Sequence, residues 1–496
     1  MKKYLGILMV LVTLCVVGVG SAGGSAATPD NPVVVTRASA ATIGATDNNF
    51  LANTARLSGL LTVVMPKGVV TVMDRANAIA YEFSSDSAFL RTISFAKPLA
   101  QLGAFTRDAD GNFFVFYGQD AAEGAVHEKN MVLRKYSPAG TALMDYWLEA
   151  GDEPSWLGVK EPFGAGTARI EIAGSTIAVY FARGMFRGDD GLNHQAAHGF
   201  VVDKDTFQRL GGLPAWSSHS FNQFILPLEN SFLFASHGDA YPRNFNFSLV
   251  KEGQSNRNIS AFDFPGAIGD NFTGAEMGEL AKTSTGFLFS GTYNNRGAAD
   301  YNASRNLFLL TINGDMTAIS SPIWLTNYTN PNIHAASPKI VDIDNGEYLV
   351  LWEQYTRSPQ SARTYMAIVD EQGAVKSAAK EIPGAPLNGN DVLRYSPAAG
   401  RAYWAIRNAS GGISLYSLNP RAELYQTPPT TTTTTTTTRT TTTTKTTTTT
   451  KITTATQEIV IDLSGIFQSI LSFFEIAFSW LPYFMSLLLS MFSMVL

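Results

Sequence analysis

Cysteine is almost absent: Cys15 is the only one in 496 residues, and it lies inside an N-terminal apolar run. With that run removed as a leader, the chain can hold no disulfide, no zinc-thiolate centre and no cysteine nucleophile. Charge is scarce too. Asp, Glu, Lys and Arg supply 16% of the residues and the formal net charge is -5, so neither nucleic acid nor a strongly acidic surface is an implied partner. Between about Pro32 and Pro420 no helical apolar period is sustained, and no G-x-S-x-G, H-E-x-x-H or P-loop phrase occurs. Nothing in the sequence implies a cofactor or a resident metal. An enzymatic role therefore has no motif behind it.

The two ends have the composition of targeting segments. MKKYLGILMVLVTLCVVGVGSAGGSAA places Lys2 and Lys3 before an apolar run and small residues after it, the order of a secretory signal over residues 1–27. An uncleaved anchor helix is the alternative. Acylation at Cys15 is disfavoured because Leu14 precedes it where a small residue is required. Residues 427–457 are a Thr tract interrupted by Arg439, Lys445 and Lys451, with too little apolar surface to offset its ordering entropy. A disordered stalk is expected, and dense threonine suits O-glycosylation. Residues 458–496 are hydrophobic, and 476–496 form an uncharged stretch long enough to cross a bilayer as a helix. A removable lipid-anchor signal, cut near Ser464 and Gly465, is the alternative. The expected place is the cell surface, with the membrane as one partner. Six N-x-S/T triplets, at Asn246, Asn258, Asn271, Asn302, Asn327 and Asn408, are candidate N-glycosylation sites.

Between the ends one phrase recurs: a turn, an aromatic-rich strand, a loop, a second apolar strand and another turn. It reads GNFFVFYG then NMVLRKYSPAG, GSTIAVYFA then AAHGFVVDKDTF, NSFLFASH then FNFSLVKEG, and GFLFSGTY then RNLFLLTINGD. It continues as GEYLVLWEQY then RTYMAIVDEQG, and GRAYWAIR then GGISLYSLNP, with GVVTVMDRANAIAYEF a weaker first copy. In most copies a strand candidate before the phrase and one after it bring the count to four per repeat. Repeats of this length and strand content predict an all-β fold, a β-propeller over residues 32–420 with seven blades, in which NPVVVTRA completes the last blade. A large sandwich or two stacked barrels is the alternative. The chain thus resembles extracellular β-propeller surface proteins as a class, a likeness that implies fold and no catalytic residue.

The phrase also assigns positions to the histidines. His127, His194, His198, His219, His237 and His334 all fall on the face that carries the start of each first strand and the end of each second strand. The opposite turns, ADGN, PLEN, TSTG and IDNG, have none. Loops of a rigid scaffold are where binding residues concentrate. The candidate ligand residues are His194, His219, His237, Asp239, Tyr241, Arg243 and Glu353, with His219 at the channel mouth and His237, Asp239 and Arg243 around it. Binding of an extracellular glycan, protein or surface through this face is the expected function. A structural envelope protein, or a glycan-active enzyme using a carboxylate pair such as Asp239 and Glu353, is the alternative.

Overall fold

The computed structural model describes residues 33–38, 54–150, 158–210, 217–294 and 303–422. The signal segment, the Thr tract, the hydrophobic tail and Asn302 lie outside the described residues. Among the described residues no helix is long and apolar enough to cross a membrane. Regular structure there is all strand: β1 (Val33–Ala38); β2 (Leu60–Val64), β3 (Val70–Asp74), β4 (Ile79–Phe83), β5 (Phe89–Ser94); β6 (Gln101–Arg107), β7 (Phe113–Gly118), β8 (Lys129–Tyr136), β9 (Ala142–Glu149). Next come β10 (Glu161–Pro162), β11 (Ala168–Ala173), β12 (Thr176–Arg187), β13 (Asn193–Asp203), β14 (Arg209–Leu210); β15 (Ser218–Pro227), β16 (Phe232–Ala240), β17 (Phe245–Val250), β18 (Arg257–Ala261). The chain closes with β19 (Ala275–Lys282), β20 (Gly286–Tyr293), β21 (Asn306–Asn313), β22 (Ile323–Trp324); β23 (Ile333–Asp342), β24 (Glu347–Thr356), β25 (Ser361–Asp370), β26 (Val375–Ile382); and β27 (Arg394–Ser396), β28 (Arg401–Arg407), β29 (Ile413–Leu418).

Consecutive strands pair antiparallel into β2–β5, β6–β9, β19–β22 and β23–β26, while β27, β28 and β29 take β1 as their fourth strand. Val33 pairs with Leu418 and Ala38 with Ile413, so the chain's N-terminal strand completes its C-terminal sheet. Strands β10 to β18 form one nine-stranded sheet, joined in the middle by the single pair Ala196–Ser218. The first strands β2, β6, β11, β15, β19, β23 and β27 touch in that order, and β27 returns to β2. Sheets radiating from a closed ring of first strands make a β-propeller.

The strand sequences follow from this geometry. Successive side chains of a strand point to opposite faces, and here both faces of an inner strand are covered by neighbouring sheets. In β7, Phe114 and Phe116 enter a core with Ile177, Val179 and Phe181. Phe113, Val115 and Tyr117 enter a different one with Met73 and Ala80. A strand buried on both sides reads as an unbroken apolar run, which is why FFVFY does not alternate. Outer strands β5, β9, β18 and β26 are largely exposed, and polar residues return there. The core of Tyr403 and Leu415 with Val72 and Phe83 joins the last sheet to the first.

The hairpin β12–β13 is longer than the sequence phrase implies. GMFR continues β12 beyond the loop expected after AVYFA, so His198 lies in a strand opposite Phe181 and not in a loop.

Candidate functional site

Each first strand starts on the mouth face, and four of them carry a register shift near that end: at Leu102/Ala104 in β6, Ser220/Asn222 in β15, Met277/Leu280 in β19 and Ala336/Lys339 in β23. A bulge inserts a residue and re-aims its neighbours. In β19 and β23 it turns charged residues inward. Glu279 Oε1 lies 3.2 Å from Lys339 Nζ, and Arg394 Nη2 lies 2.5 Å from Glu171 Oε1. Arg394 Nε donates to the Thr62 carbonyl and Arg169 Nη2 to the Asn390 carbonyl, while Lys339 reaches the carbonyls of Gly389 and Asp391. Two ion pairs, Lys339–Glu279 and Arg394–Glu171, thus close around the ring axis, with Arg169 and Asp391 buried beside them. The network ties five first strands together, and Arg169 Nε, Glu279 Oε2 and Asp391 Oδ2 are buried there without a hydrogen bond among the described residues. Burial pushes the Glu279 and Asp391 carboxyls upward, so breaking one partner leaves an expensive group behind.

Toward the mouth, Ser337 sits between Glu276 and Glu353. Its N–H donates to both Glu276 oxygens at 3.1 and 3.2 Å, and its hydroxyl to Glu353 Oε2 at 2.8 Å. Glu353 is fully buried, and its other oxygen accepts from Leu387 N–H at 3.1 Å. Desolvation pushes the Glu276 and Glu353 carboxyls up to about 7 each, against the pull of Arg305 and Lys339 on Glu276 and of Lys339 on Glu353. Above this pair the segment Thr54–Ser58 crosses the mouth: Ala55 N–H donates to the Phe221 carbonyl at 2.8 Å and Arg56 N–H to Asn390 Oδ1 at 3.2 Å.

The rim over β15–β18 carries the residues that the sequence singles out. Asp239 is fully buried at the end of β16. It accepts from Gly269 N–H at 2.9 Å and Asn271 N–H at 2.5 Å, with burial the largest influence on its carboxyl and an upward one. Arg243 donates to the carbonyls of Phe264, Pro265 and Phe272 and to Asp270 Oδ1 at 2.8 Å, and its Nη1 is 3.5 Å from Asp239 Oδ1. Together they fasten residues 264–272 to the sheet. Tyr241 projects from this frame, 66% exposed, and His219 lies beside it with its Nδ1 3.9 Å from Asp239 Oδ1 and no hydrogen bond at that atom. Both have φ of 46°, a region costly for residues with a Cβ. Gly269 meets the His219 ring so closely that a Cβ there would stand 3.3 Å from Cε1.

Other named residues are placed elsewhere. His237 is buried against Phe221, Phe245 and Phe264, bonds to Thr273 Oγ1 at 2.7 Å and is pulled down to about 3 by burial. It is part of the core. His198 and His334 are buried as well. His194 pairs with Asp190 at 2.8 Å on the separate β12–β13 tip, and His127 is exposed. Asp239 and Glu353 sit on different sheets, each satisfied locally. Trp352 stacks on Tyr365 and donates to Tyr328. Among the glycosylation candidates Asn258, Asn271 and Asn327 are exposed, Asn246 is buried, and the Asn408 amide caps its own turn. Glu276, Ser337 and the axial charges were not singled out by the sequence. Their signal was charge at the inward positions of first strands, in ARIEIA, AEMGELAK and SPKIVD. Among the described residues no three His, Asp or Glu side chains converge as a metal set.

No protein-family model and no curated protein matches the sequence. Among solved structures, the Dos1 propeller is similar at 10% identity with a TM-score of 0.38, covering 71% of this chain and 76% of that one. The Trypanosoma rangeli sialidase in complex with 2,3-difluoro-KDN is similar at 10% identity and a TM-score of 0.37, over 68% of this chain and 58% of that one. A functionally unknown protein from Desulfotomaculum acetoxidans has the same identity and TM-score, over 68% and 88%. This chain spans less than two thirds of the sialidase. The fold assignment stands on the sheet order and ring closure described above.

Proposed function

We infer that this chain is an exported, surface-displayed β-propeller of seven blades whose mouth face binds an extracellular ligand, a glycan or a protein surface. The blade count follows from dividing the nine-stranded sheet at Ala196–Ser218, which leaves a four-stranded set on each side apart from β10. The observation that carries the binding reading is the rim at His219 and Tyr241. Two residues with left-handed backbone are retained where Asp239 and Arg243 spend their charge on fixing the loop beneath them. Strain of this kind persists only when the surroundings impose it, and it concentrates at recognition sites. An exposed aromatic ring beside an imidazole that is 26% exposed at the start of β15 is suited to stacking and hydrogen bonding with a ligand. The last described residues, Arg421 and Ala422, lie on the opposite, turn face, where Arg421 donates to the carbonyls of Ile343 and Asp344. Display of the mouth face requires that exit.

A second reading, a glycan-active enzyme, is favoured by one observation: the Glu276 and Glu353 carboxyls poised near 7 around Ser337. The test is a screen of immobilised glycans and surface proteins with the wild type and the double variant Tyr241→Ala, His219→Ala. Binding lost in the variant with melting temperature unchanged supports the rim. Equal binding by both proteins removes it.

A further inference from the structure

On the turn face a cleft of about 460 Å³ opens between the sheets β15–β18 and β19–β22. One wall is the turn Leu228–Ser231 with residues of the β17–β18 connection, and the other is Lys282–Phe287 with Gly314. The phenylalanine-rich core between these sheets, with Phe224, Phe247, Phe287 and Phe289, fills the space up to this level, and beyond it the walls turn polar. Gly286 keeps its wall low, since a Cβ there would stand 2.0 Å from the Ile312 carbonyl.

The lining brings Lys251, Arg257 and Lys282 together with a single carboxylate, Glu229. All three cations are exposed, and none makes an ion pair or a side-chain hydrogen bond among the described residues. Many cations elsewhere are paired, such as Arg107 with Glu82, Arg134 with Asp145, Lys160 with Glu123 and Lys376 with Glu347, and the described cations that are not, such as Lys67 and Lys129, do not line this cleft. Carboxylates outnumber cations in the chain, 41 against 36, so three unneutralised cations around one cleft are not a by-product of a basic surface. With three cations against one carboxylate, the cleft carries an excess of positive charge that favours an anion. The volume falls within the ~300–1,000 Å³ of ligand pockets.

We propose that this cleft is a second binding site, for a saccharide carrying a carboxylate or a sulfate. Lys251, Arg257 and Lys282 hold the acid group, and the amides of Asn230 and Gln254 with the hydroxyl of Thr285 take the sugar hydroxyls. Leu228 and Leu249 supply the apolar edge against which a pyranose face lies. A phospholipid headgroup fits less well, because the exposed apolar side chains Leu90, Leu143, Leu192, Ile268 and Val375 all lie outside the lining and leave no path for acyl chains.

The experiment is calorimetric titration of the full-length chain with a sulfated heparin-derived tetrasaccharide, with trigalacturonate, with neutral maltotriose and with phosphatidylglycerol vesicles. One or both charged saccharides bind, maltotriose and vesicles do not, and affinity falls as salt rises from about 50 to about 500 mM. The double variant Lys282→Gln, Arg257→Gln weakens binding roughly tenfold or more, while His219→Ala leaves it unchanged, which separates this site from the rim. The Lys282 and Arg257 side chains are exposed, so the fold is not at stake in the double variant. The proposal is overturned if neither charged saccharide binds, if the double variant binds as well as the wild type, if maltotriose binds equally, or if only the vesicles bind.

Discussion

The Ser337 hydroxyl donates to Glu353 Oε2 at 2.8 Å from a backbone held at φ 54°, while the same residue's N–H serves Glu276. One strained serine thus organises two carboxyls whose desolvation raises them to about 7, from 4.5 in the unfolded chain. Between those pH values the folded protein binds more protons than the unfolded one, so this pair's contribution to stability is lost as pH rises from about 4.5 through about 7. Glu353→Gln keeps an oxygen for Leu387 N–H and removes the charge. It should flatten the decline and raise the melting temperature relative to the wild type at pH 8 more than at pH 5. Parallel pH profiles would show that Glu353 stays ionised throughout.

Buried histidines act with the opposite sign. His237 and His334 are pulled from 6.5 down to about 3 and about 4 by burial, so the folded state resists their protonation. Stability should fall as pH drops below about 6.5, and His237→Gln should blunt that fall. At neutral pH His237→Ala should cost about 2–4 kcal/mol through lost packing and the lost hydrogen bond with the Thr273 hydroxyl. Phe234→Ala should cost about 3–5 kcal/mol. His219→Ala, at the rim, should stay within about 1 kcal/mol of wild type. Denaturant titration of the three variants at pH 7 and pH 5 decides this, and a His219 cost matching that of His237 would make the rim architectural.

These contrasts show what the amino-acid order makes legible. The aromatic strand phrase, repeated between turns, reveals the radial sheets because a strand buried on both faces must be apolar throughout. The pairing of β1 with β29 could be expected from VVVT standing without a partner ahead of the first repeat. Although His198 lies inside β13, the positions of His219 and His334 near the starts of first strands were also legible from strand order. Exposure was not. His219 and His237 sit in similar local sequences, SSHSF and ASHGD, and only the packing of Phe245 and Phe264 decides that one is core and the other rim. Glu276 and Glu279 are three apart, which conceals that a bulge turns both inward. Lys339 and Asp391 are too distant in sequence for their contact to be read at all.

Arg243 offers a sharper test of the rim. Its guanidinium serves four carbonyls and Asp270, and its Nη1 lies 3.5 Å from the buried Asp239 carboxylate. Arg243→Ala should cost roughly 3 kcal/mol, the scale for leaving a buried charge without its partner. The loss should be local: amide exchange at residues 264–272 should speed up while β20 and β24 keep their protection. Any ligand that needs Tyr241 should then bind more weakly even at temperatures where the protein is folded. Exchange rates unchanged in that loop would mean that Asp239 alone anchors it.

The end of the described chain sets the terms of the last prediction. Arg421 Nη2 donates to the Ile343 carbonyl at 2.6 Å and the Asp344 carbonyl at 2.9 Å, and Nε lies 3.3 Å from Glu347 Oε2, so this residue pins the end of the last sheet to the β23–β24 turn. The Thr tract begins only at residue 427 and shares no repeat with the sheets. Truncation after Tyr425 should therefore leave a folded head with the thermal transition of the full chain, and, if the tail is the membrane anchor, should move the protein from the membrane fraction to the medium. Truncation after Pro420 removes Arg421 as well. It should lower stability by about 1–2 kcal/mol, from charge-assisted hydrogen bonds at a partly exposed site, without changing where the protein is found. Fractionation and melting curves of the two truncations separate the anchor from the clasp: a head still in the membrane fraction after truncation at Tyr425 overturns the anchor, and equal melting of both truncations removes the role of Arg421.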